Sequence, residues 1–259
     1  MKILICLLFK NSMLWLDRFL SCLDSLIENK PDNITYSISV IYGDSNDGTD
    51  LEVKKRMSEL RKKYKCEIKM ACLPLPRRLD VLEKLGILRN VSITMFNTKK
   101  FDHVLHMDTD IVFHYDDIEK LIRDIDSNND IGIIAPLIYI ESSKTFYDTF
   151  AFRMNKKMFR ADLSNIKKDN IISVDEIFEV DSVGTLYICR SDIFWKYNIK
   201  YWTELREADE SDIHPHKKYE SEQVVFCSNV KEITRYKVMV DHSIRIDHVD
   251  LEKYGKSWH

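Results

Sequence analysis

Two aspartates one residue apart, Asp108 and Asp110, interrupt the stretch Phe101-Asp102-His103-Val104-Leu105-His106-Met107-Asp108-Thr109-Asp110-Ile111-Val112-Phe113. Its first half alternates and is rich in β-favouring residues, the pattern of a buried strand. Carboxylates at the end of such a strand need a partner, because unpaired buried charge is costly. A divalent cation supplies one. Hard ions such as Mg²⁺ or Mn²⁺ take carboxylate and phosphate oxygens, and α/β sheets collect ligands at the carboxyl ends of their strands. A polar turn that happens to carry two acids is the plain alternative, and so short a motif leaves both readings open.

Composition narrows the class of protein that could use such a site. The chain has 259 residues, 44% hydrophobic and 31% charged, enough apolar material for a sizeable core. A net charge of −3 gives no global reason to expect a nucleic-acid partner. Cys6, Cys22, Cys66, Cys72, Cys189 and Cys227 form no CxxC pair and no zinc spacing, so they read as reduced and mostly core. The apolar run Ile3 to Phe9 is short and lacks a small-residue cleavage site, which reads as a first strand rather than a leader. No apolar run reaches the ~18 residues of a membrane span. The expectation is a cytoplasmic protein with no membrane span, no nucleic-acid partner and an unread oligomeric state.

The elements that must position the acids follow in order. Ile3–Phe9, Tyr36–Tyr42 and Cys66–Leu73 read as strands. A helix lies between the first two, with Leu16, Phe19, Leu20, Leu23, Leu26 and Ile27 on one face and Asn11 or Ser12 as cap. A second helix, capped by Thr49 or Asp50, places Leu51, Met57, Leu60 and Tyr64 on one side. This β-α-β-α-β order is that of a parallel sheet with crossover helices. Beyond Pro74 and Pro76 a helical pattern covers 79–97 through Leu82, Leu85, Leu88, Val91 and Met95. The acid-bearing strand, a short helix over 115–127 and a buried strand over 131–140 come next. From Glu141 the periodicity weakens. An aromatic and basic excursion covers 145–170, a strand broken by Gly184 covers 180–190, and a short helix covers 191–197. A loop over 201–219, a helix over 220–230 and a strand over 237–248 complete the chain. No repeat or linker divides it. The expectation is one α/β domain over 1–259, its mostly parallel sheet flanked by helices. Residues 1–140 form a nucleotide-sugar-binding half and 141–259 a more variable, acceptor-binding half.

Taken in order, Gly43-Asp-Ser-Asn-Asp-Gly-Thr49, Arg89-Asn90, Met107-Asp-Thr-Asp-Ile111, Val180-Asp-Ser-Val-Gly-Thr-Leu-Tyr-Ile-Cys-Arg190, Tyr219-Glu-Ser-Glu222 and the strand ending in His248 form a recognisable series. The chain resembles nucleotide-sugar glycosyltransferases of the GT-A (Rossmann-like) fold. It is similar in particular to fungal mannosyltransferases of the mannan-polymerase type and related large-virus enzymes. The likeness covers roughly residues 1–248 as an order of motifs.

That resemblance implies roles. Asp44 would bind the nucleobase, and Arg89 or Arg78 the nucleotide or its diphosphate. Asp108 would face the ribose and, with Asp110, the metal, and His248 would be a third metal or phosphate ligand. His242 and Asp247 are its rivals, and plain alternation puts His242 and His248 on one face. Glu222 or Glu220 would act on the acceptor, as base or as orienting group. An amide, Gln223, stands where inverting relatives often carry an acid, so inversion and retention both remain open. Asp181 would bind a donor hydroxyl, and Gly184 would let backbone approach sugar or acceptor. Each has an ordinary alternative as a turn acid, a helix-surface charge or a core histidine. The implied activity is transfer of a sugar from a UDP- or GDP-sugar, with Mn²⁺ or Mg²⁺, to a hydroxyl of a glycan or glycoconjugate acceptor. A sugar nucleotidyltransferase is the rival enzyme, disfavoured because residues 7–13 lack a glycine-rich phosphate loop. A non-catalytic binder of nucleotide sugars on the same fold is the other.

Overall fold

Strands β1 (Lys2–Phe9) and β2 (Thr35–Tyr42) are buried on both faces; β1 is a continuous apolar run, whereas β2 alternates Tyr36, Ile38 and Val40 with the buried Ser37 and Ser39. They are interior strands of a nine-stranded sheet in the computed structural model, which describes residues 1–155, 157–158, 177–205 and 219–250. The elements that follow in chain order are α1 (Leu16–Glu28, between the first two strands), α2 (Thr49–Tyr64), β3 (Glu67–Cys72), α3 (Val81–Thr94), β4 (His103–Asp108), β5 (Ile111–Val112) and α4 (Tyr115–Ser127). Then come β6 (Ile131–Ile140), β7 (Arg153–Met154), β8 (Lys157–Met158), β9 (Ile177–Val180), β10 (Leu186–Arg190), α5 (Asp192–Trp195), α6 (Glu222–Thr234) and β11 (Lys237–His248).

The sheet order is β3-β2-β1-β4-β10-β6-β11-β5, with β9 also on β11. The first four strands are parallel, as the β-α-β-α-β reading expects. Beyond β4 the direction mixes: β10 runs antiparallel between β4 and β6, and β11 runs parallel to β6. The strand expected over 180–190 is two strands. The break at Gly184 sends β9 to β11 and β10 to β4. Only part of the expected excursion over 145–170 and of the loop over 201–219 falls within the described residues.

Two apolar layers sandwich the sheet, one beneath α1, α2 and α4 and the other beneath α3 and α6. The expected face of α1 is buried in full. On α2 Met57 and Leu60 are buried as expected, but Val53 takes the place expected of Leu51, which is 77% exposed. Asn11 and Ser12 do not cap α1. Ser12 N donates to Thr49 Oγ1 and Asn46 N donates to Asn11 Oδ1, so they zip the β1–α1 loop to the β2–α2 loop at the rim of the sheet. Of the six cysteines, Cys6, Cys189 and Cys227 are buried, whereas Cys72 is exposed, so the expectation of mostly core positions holds for half.

Strand β11 changes face midway. Val238 and Val240 pack in the α3/α6 layer, and Ile244 and Ile246 in the opposite one. The switch falls between Asp241 and Arg245, opposite Pro136 and Leu137 of β6. Proline has no N–H for the ladder and is tolerated in sheets at such irregularities. Lys120 and Ser243 hold the buried Asp241 carboxylate at the bulge. His242 and His248 therefore lie on opposite faces, contrary to the alternation expected: His242 meets Phe178 and His248 stacks on Tyr147.

Candidate active site

A cleft of about 320 Å³ opens at the carboxyl ends of β1, β2 and β4. Asp44, Arg89, Asp108 and Asp110 all line it, with an apolar wall from Leu73, Leu75, Leu85 and Leu88. Asp44 sits in the left-handed region (φ 61°) after Gly43, whose added Cβ would meet the Leu73 backbone at 3.3 Å. Its carboxylate is half-exposed, 3.8 Å from Lys10 Nζ. Thr109, between the two acids, donates to the Leu8 carbonyl at 3.0 Å and ties their turn to the end of β1.

Asp108 shares its face of β4 with Val104 and His106, the face covered by α3 and α6. There it meets Arg89. The guanidinium donates from Nη2 to Asp108 Oδ1 at 3.1 Å and from Nε to Glu222 Oε1 at 3.0 Å. Arg89 is 3% exposed and Glu222 1%. With its amide oxygen turned inward, Gln223 also accepts from Arg89 Nη2 at 2.9 Å and from Thr185 N at 3.3 Å. Thr185 closes the ring by accepting from Asp108 N at 2.8 Å. Burial pushes the Asp108 carboxyl up to about 6; Arg89 pulls it back and the neighbouring Asp110 adds to the rise.

Arg89 is in this position because the buried face of α3 is Leu82, Gly86, Arg89, Ser92 and Ile93. Sequence reasoning followed the leucines at 85 and 88, which line the cleft instead. Small residues on either side of a lone arginine at helical spacing were the signal available. Asp80 and Glu83 fix the start of α3 with a capping box.

Asp110 and His248 come together through a pairing too short to read from sequence. β5 runs antiparallel to the end of β11 with His248 opposite Ile111, and Val249 N donates to the Asp110 carbonyl. Nε2 of His248 then stands 3.3 Å from Asp110 Oδ2. Nδ1 lies 2.8 Å from the Val249 carbonyl, which favours a proton on Nδ1 and leaves Nε2 facing the carboxylate. Burial lowers the His248 pKa, but Asp110 outweighs it and the net shift is upward. Oδ1 of Asp110 is buried with no hydrogen-bond partner among the described residues. An orphaned carboxylate oxygen beside an imidazole nitrogen suits a hard divalent cation whose remaining positions go to phosphate and water. Among the described residues, no three His, Cys, Asp or Glu side chains form a ready-made metal cage.

The other residues singled out by sequence lie apart. Glu220 accepts from Arg153 Nη2 at 2.8 Å. Asp181 accepts from Lys231 Nζ at 3.1 Å. Lys231 is nine residues along α6 from Glu222, about 13 Å at the helical rise, so Asp181 is not part of the acid cluster. Arg78 is exposed on the loop before α3 and does not line the cleft, whereas Lys10 and Lys84 do. Gly184 gives close approach to a side chain: its added Cβ would fall 2.8 Å from both carboxylate oxygens of Asp148. Asp148, which sequence reasoning passed over, is buried, and burial followed by repulsion from Asp108 pushes its carboxyl up to about 7. Tyr147, stacked on His248 with ring centroids 3.7 Å apart, was also missed.

Comparison with known proteins places this geometry. The family profile described as Cryptococcal mannosyltransferase 1 matches residues 2–227. No curated protein sequence matches the chain. Among solved structures, residues 1–349 of Staphylococcus aureus TarS superpose with a TM-score of 0.57 at 14% identity, over 94% of this chain and 61% of that one. TarS is also seen with UDP and with UDP-GlcNAc. The mannosyltransferase PcManGT from Pyrobaculum calidifontis, in complex with GDP-Man and Mn²⁺, gives 0.54 at 12% identity, over 96% of this chain and 56% of that one. Glucosyl-3-phosphoglycerate synthase from Mycobacterium tuberculosis, with Mn²⁺, UDP and glucosyl-3-phosphoglycerate, gives 0.52 at 13% identity, over 98% and 75%. The chain thus spans about three fifths of TarS 1–349 and of PcManGT. At these identities the likeness establishes the fold, which is GT-A.

Proposed function

The chain belongs to the Cryptococcal mannosyltransferase 1 family, and from that premise we propose that it transfers a glycosyl group, with a divalent cation, from a nucleoside-diphosphate sugar to a hydroxyl of a glycan acceptor. The observation that carries this reading is the convergence of Asp44, Asp108 and Asp110 on one cleft at the carboxyl ends of parallel strands, with His248 beside Asp110. The nucleobase and ribose would lie along the apolar wall between Asp44 and Asp108. The diphosphate would lie toward Asp110, in the cleft that Lys10 and Lys84 also line. The family description and the GDP-Man complex of PcManGT make GDP-mannose the first donor to test, ahead of UDP-sugars.

Asp110 and His248 would hold the cation, with Asp108 at its edge. Bound there, Mn²⁺ or Mg²⁺ supplies Lewis-acid stabilisation of the departing diphosphate. The chain's own residues do the rest. Thr109 fixes the angle between the two acids, Arg89 sets the Asp108 carboxylate, and Tyr147 walls the imidazole of His248 from solvent. The test is calorimetric titration of GDP, UDP and GDP-mannose with and without Mn²⁺, followed by product analysis on a panel of glycan acceptors. Binding that needs both nucleotide and cation supports the reading. Equal binding without the cation, or release of pyrophosphate from a nucleoside triphosphate, contradicts it.

A further inference from the structure

Glu222 heads α6, where sequence reasoning looked for an acid acting on the acceptor, yet its side chain turns away from the cleft. A general base must reach the hydroxyl it deprotonates at hydrogen-bond distance. Glu222 is 1% exposed, with Oε1 on Arg89 Nε at 3.0 Å. The guanidinium that it grips has two further partners, both on Nη2. Nη2 donates to Asp108 Oδ1 at 3.1 Å, and the Gln223 amide oxygen lies 2.9 Å from the same Nη2. A planar guanidinium fixed through Nε and Nη2 has no freedom to swing.

We propose that Glu222 is a positioning residue that acts through Arg89: it holds the guanidinium in the one pose that pins Oδ1 of Asp108 and leaves the second oxygen of Asp108 to the donor cleft. Gln223 fits the same scheme, since a neutral amide completes the shell of Arg89 without adding a third negative charge to a buried cation. This inference rests on the donor reading above for what Asp108 faces, and on geometry alone for the link between the three side chains.

The experiment is a double-variant cycle with two readouts. In calorimetry with Mn²⁺ and GDP or UDP, Glu222→Gln weakens binding roughly tenfold or more, as loss of an outer-shell partner does. Arg89→Gln does the same, and the double variant adds little to Arg89→Gln alone. Undiminished nucleotide binding in Glu222→Gln, with turnover lost, would overturn the proposal in favour of a base. Losses that multiply in the double variant would overturn it as well. The second readout needs no nucleotide. Glu222→Gln lowers the thermal midpoint of the wild type but not of Arg89→Gln, where it relieves repulsion between two carboxylates. An equal fall in both backgrounds overturns the link. A wild type that binds neither GDP nor UDP fails the donor reading, while the thermal arm still decides the Arg89 link. Gln223→Met is a milder variant that keeps both carboxylates; roughly threefold weaker binding is expected, and unchanged binding counts against the proposal.

Discussion

Nε2 of His248 stands 3.3 Å from Oδ2 of Asp110 because two residues of β5 pair with the last two of β11. A strand end carrying an acid and a strand end carrying an imidazole are thereby docked side by side, next to Oδ1 of Asp110, which has no hydrogen-bond partner among the described residues.

His248→Ala should therefore lower Mn²⁺ affinity in the presence of nucleotide by roughly tenfold or more. Manganese paramagnetic resonance on the free and bound ion reads this directly. His242→Ala, on the opposite face of the same strand, should leave the affinity unchanged. Equal losses in both variants would remove His248 from the cation site.

The bulge that separates those histidines makes its own prediction. Asp241 is fully buried and its carboxylate is held by Lys120, which is partly exposed. Lys120→Met leaves that carboxylate without its cation and should destabilise the fold by about 3 kcal/mol, at the lower end for a broken buried pair. Chemical denaturation measures it. A change below about 0.5 kcal/mol would mean that solvent replaces the lysine there.

Much of this was legible in the residues. The parallel half of the sheet, the buried face of α1 and the acids at the end of β4 follow from periodicity and from the cost of buried charge. The pairings that complete the site were not. β5 is two residues long, and no local signal links Ile111 to His248. Arg89 was named from the motif order, but its burial against Asp108 and Glu222 was not legible, because the leucines at 85 and 88 line the cleft while Gly86 and Ser92 lie on the buried face of α3. Asp148 lies in a stretch without periodicity, and only the fold sets it against Gly184.

Asp148 gives the pH dependence. Its folded-state pKa of about 7 lies above the ordinary 3.8, so the folded state binds the proton more tightly. Its favourable contribution is complete below pH about 4 and is lost as pH rises toward about 7, a few kcal/mol at about 1.4 kcal/mol per pKa unit. Asp148→Asn should show a midpoint advantage over wild type that grows from pH 5 to pH 8. A difference that stays constant across that range would mean that Asp148 titrates normally.

Gly184→Ala tests the contact from the other side. The added methyl would fall 2.5 Å from Ala151 Cβ and 2.8 Å from the Asp148 carboxylate. Overpacking of this kind costs about 1–3 kcal/mol. Denaturation at pH 5 and pH 8 should show the loss at both, and a neutral substitution would contradict the packing.

Asp110 is the residue on which cation-dependent nucleotide binding should turn. Calorimetric titration of wild type with GDP and with UDP, each with and without Mn²⁺, should show binding of one nucleotide that depends on the cation. Asp110→Ala should abolish that dependence while leaving the thermal midpoint of the free protein near wild type. Nucleotide binding by Asp110→Ala with wild-type affinity and wild-type response to Mn²⁺ would contradict the account.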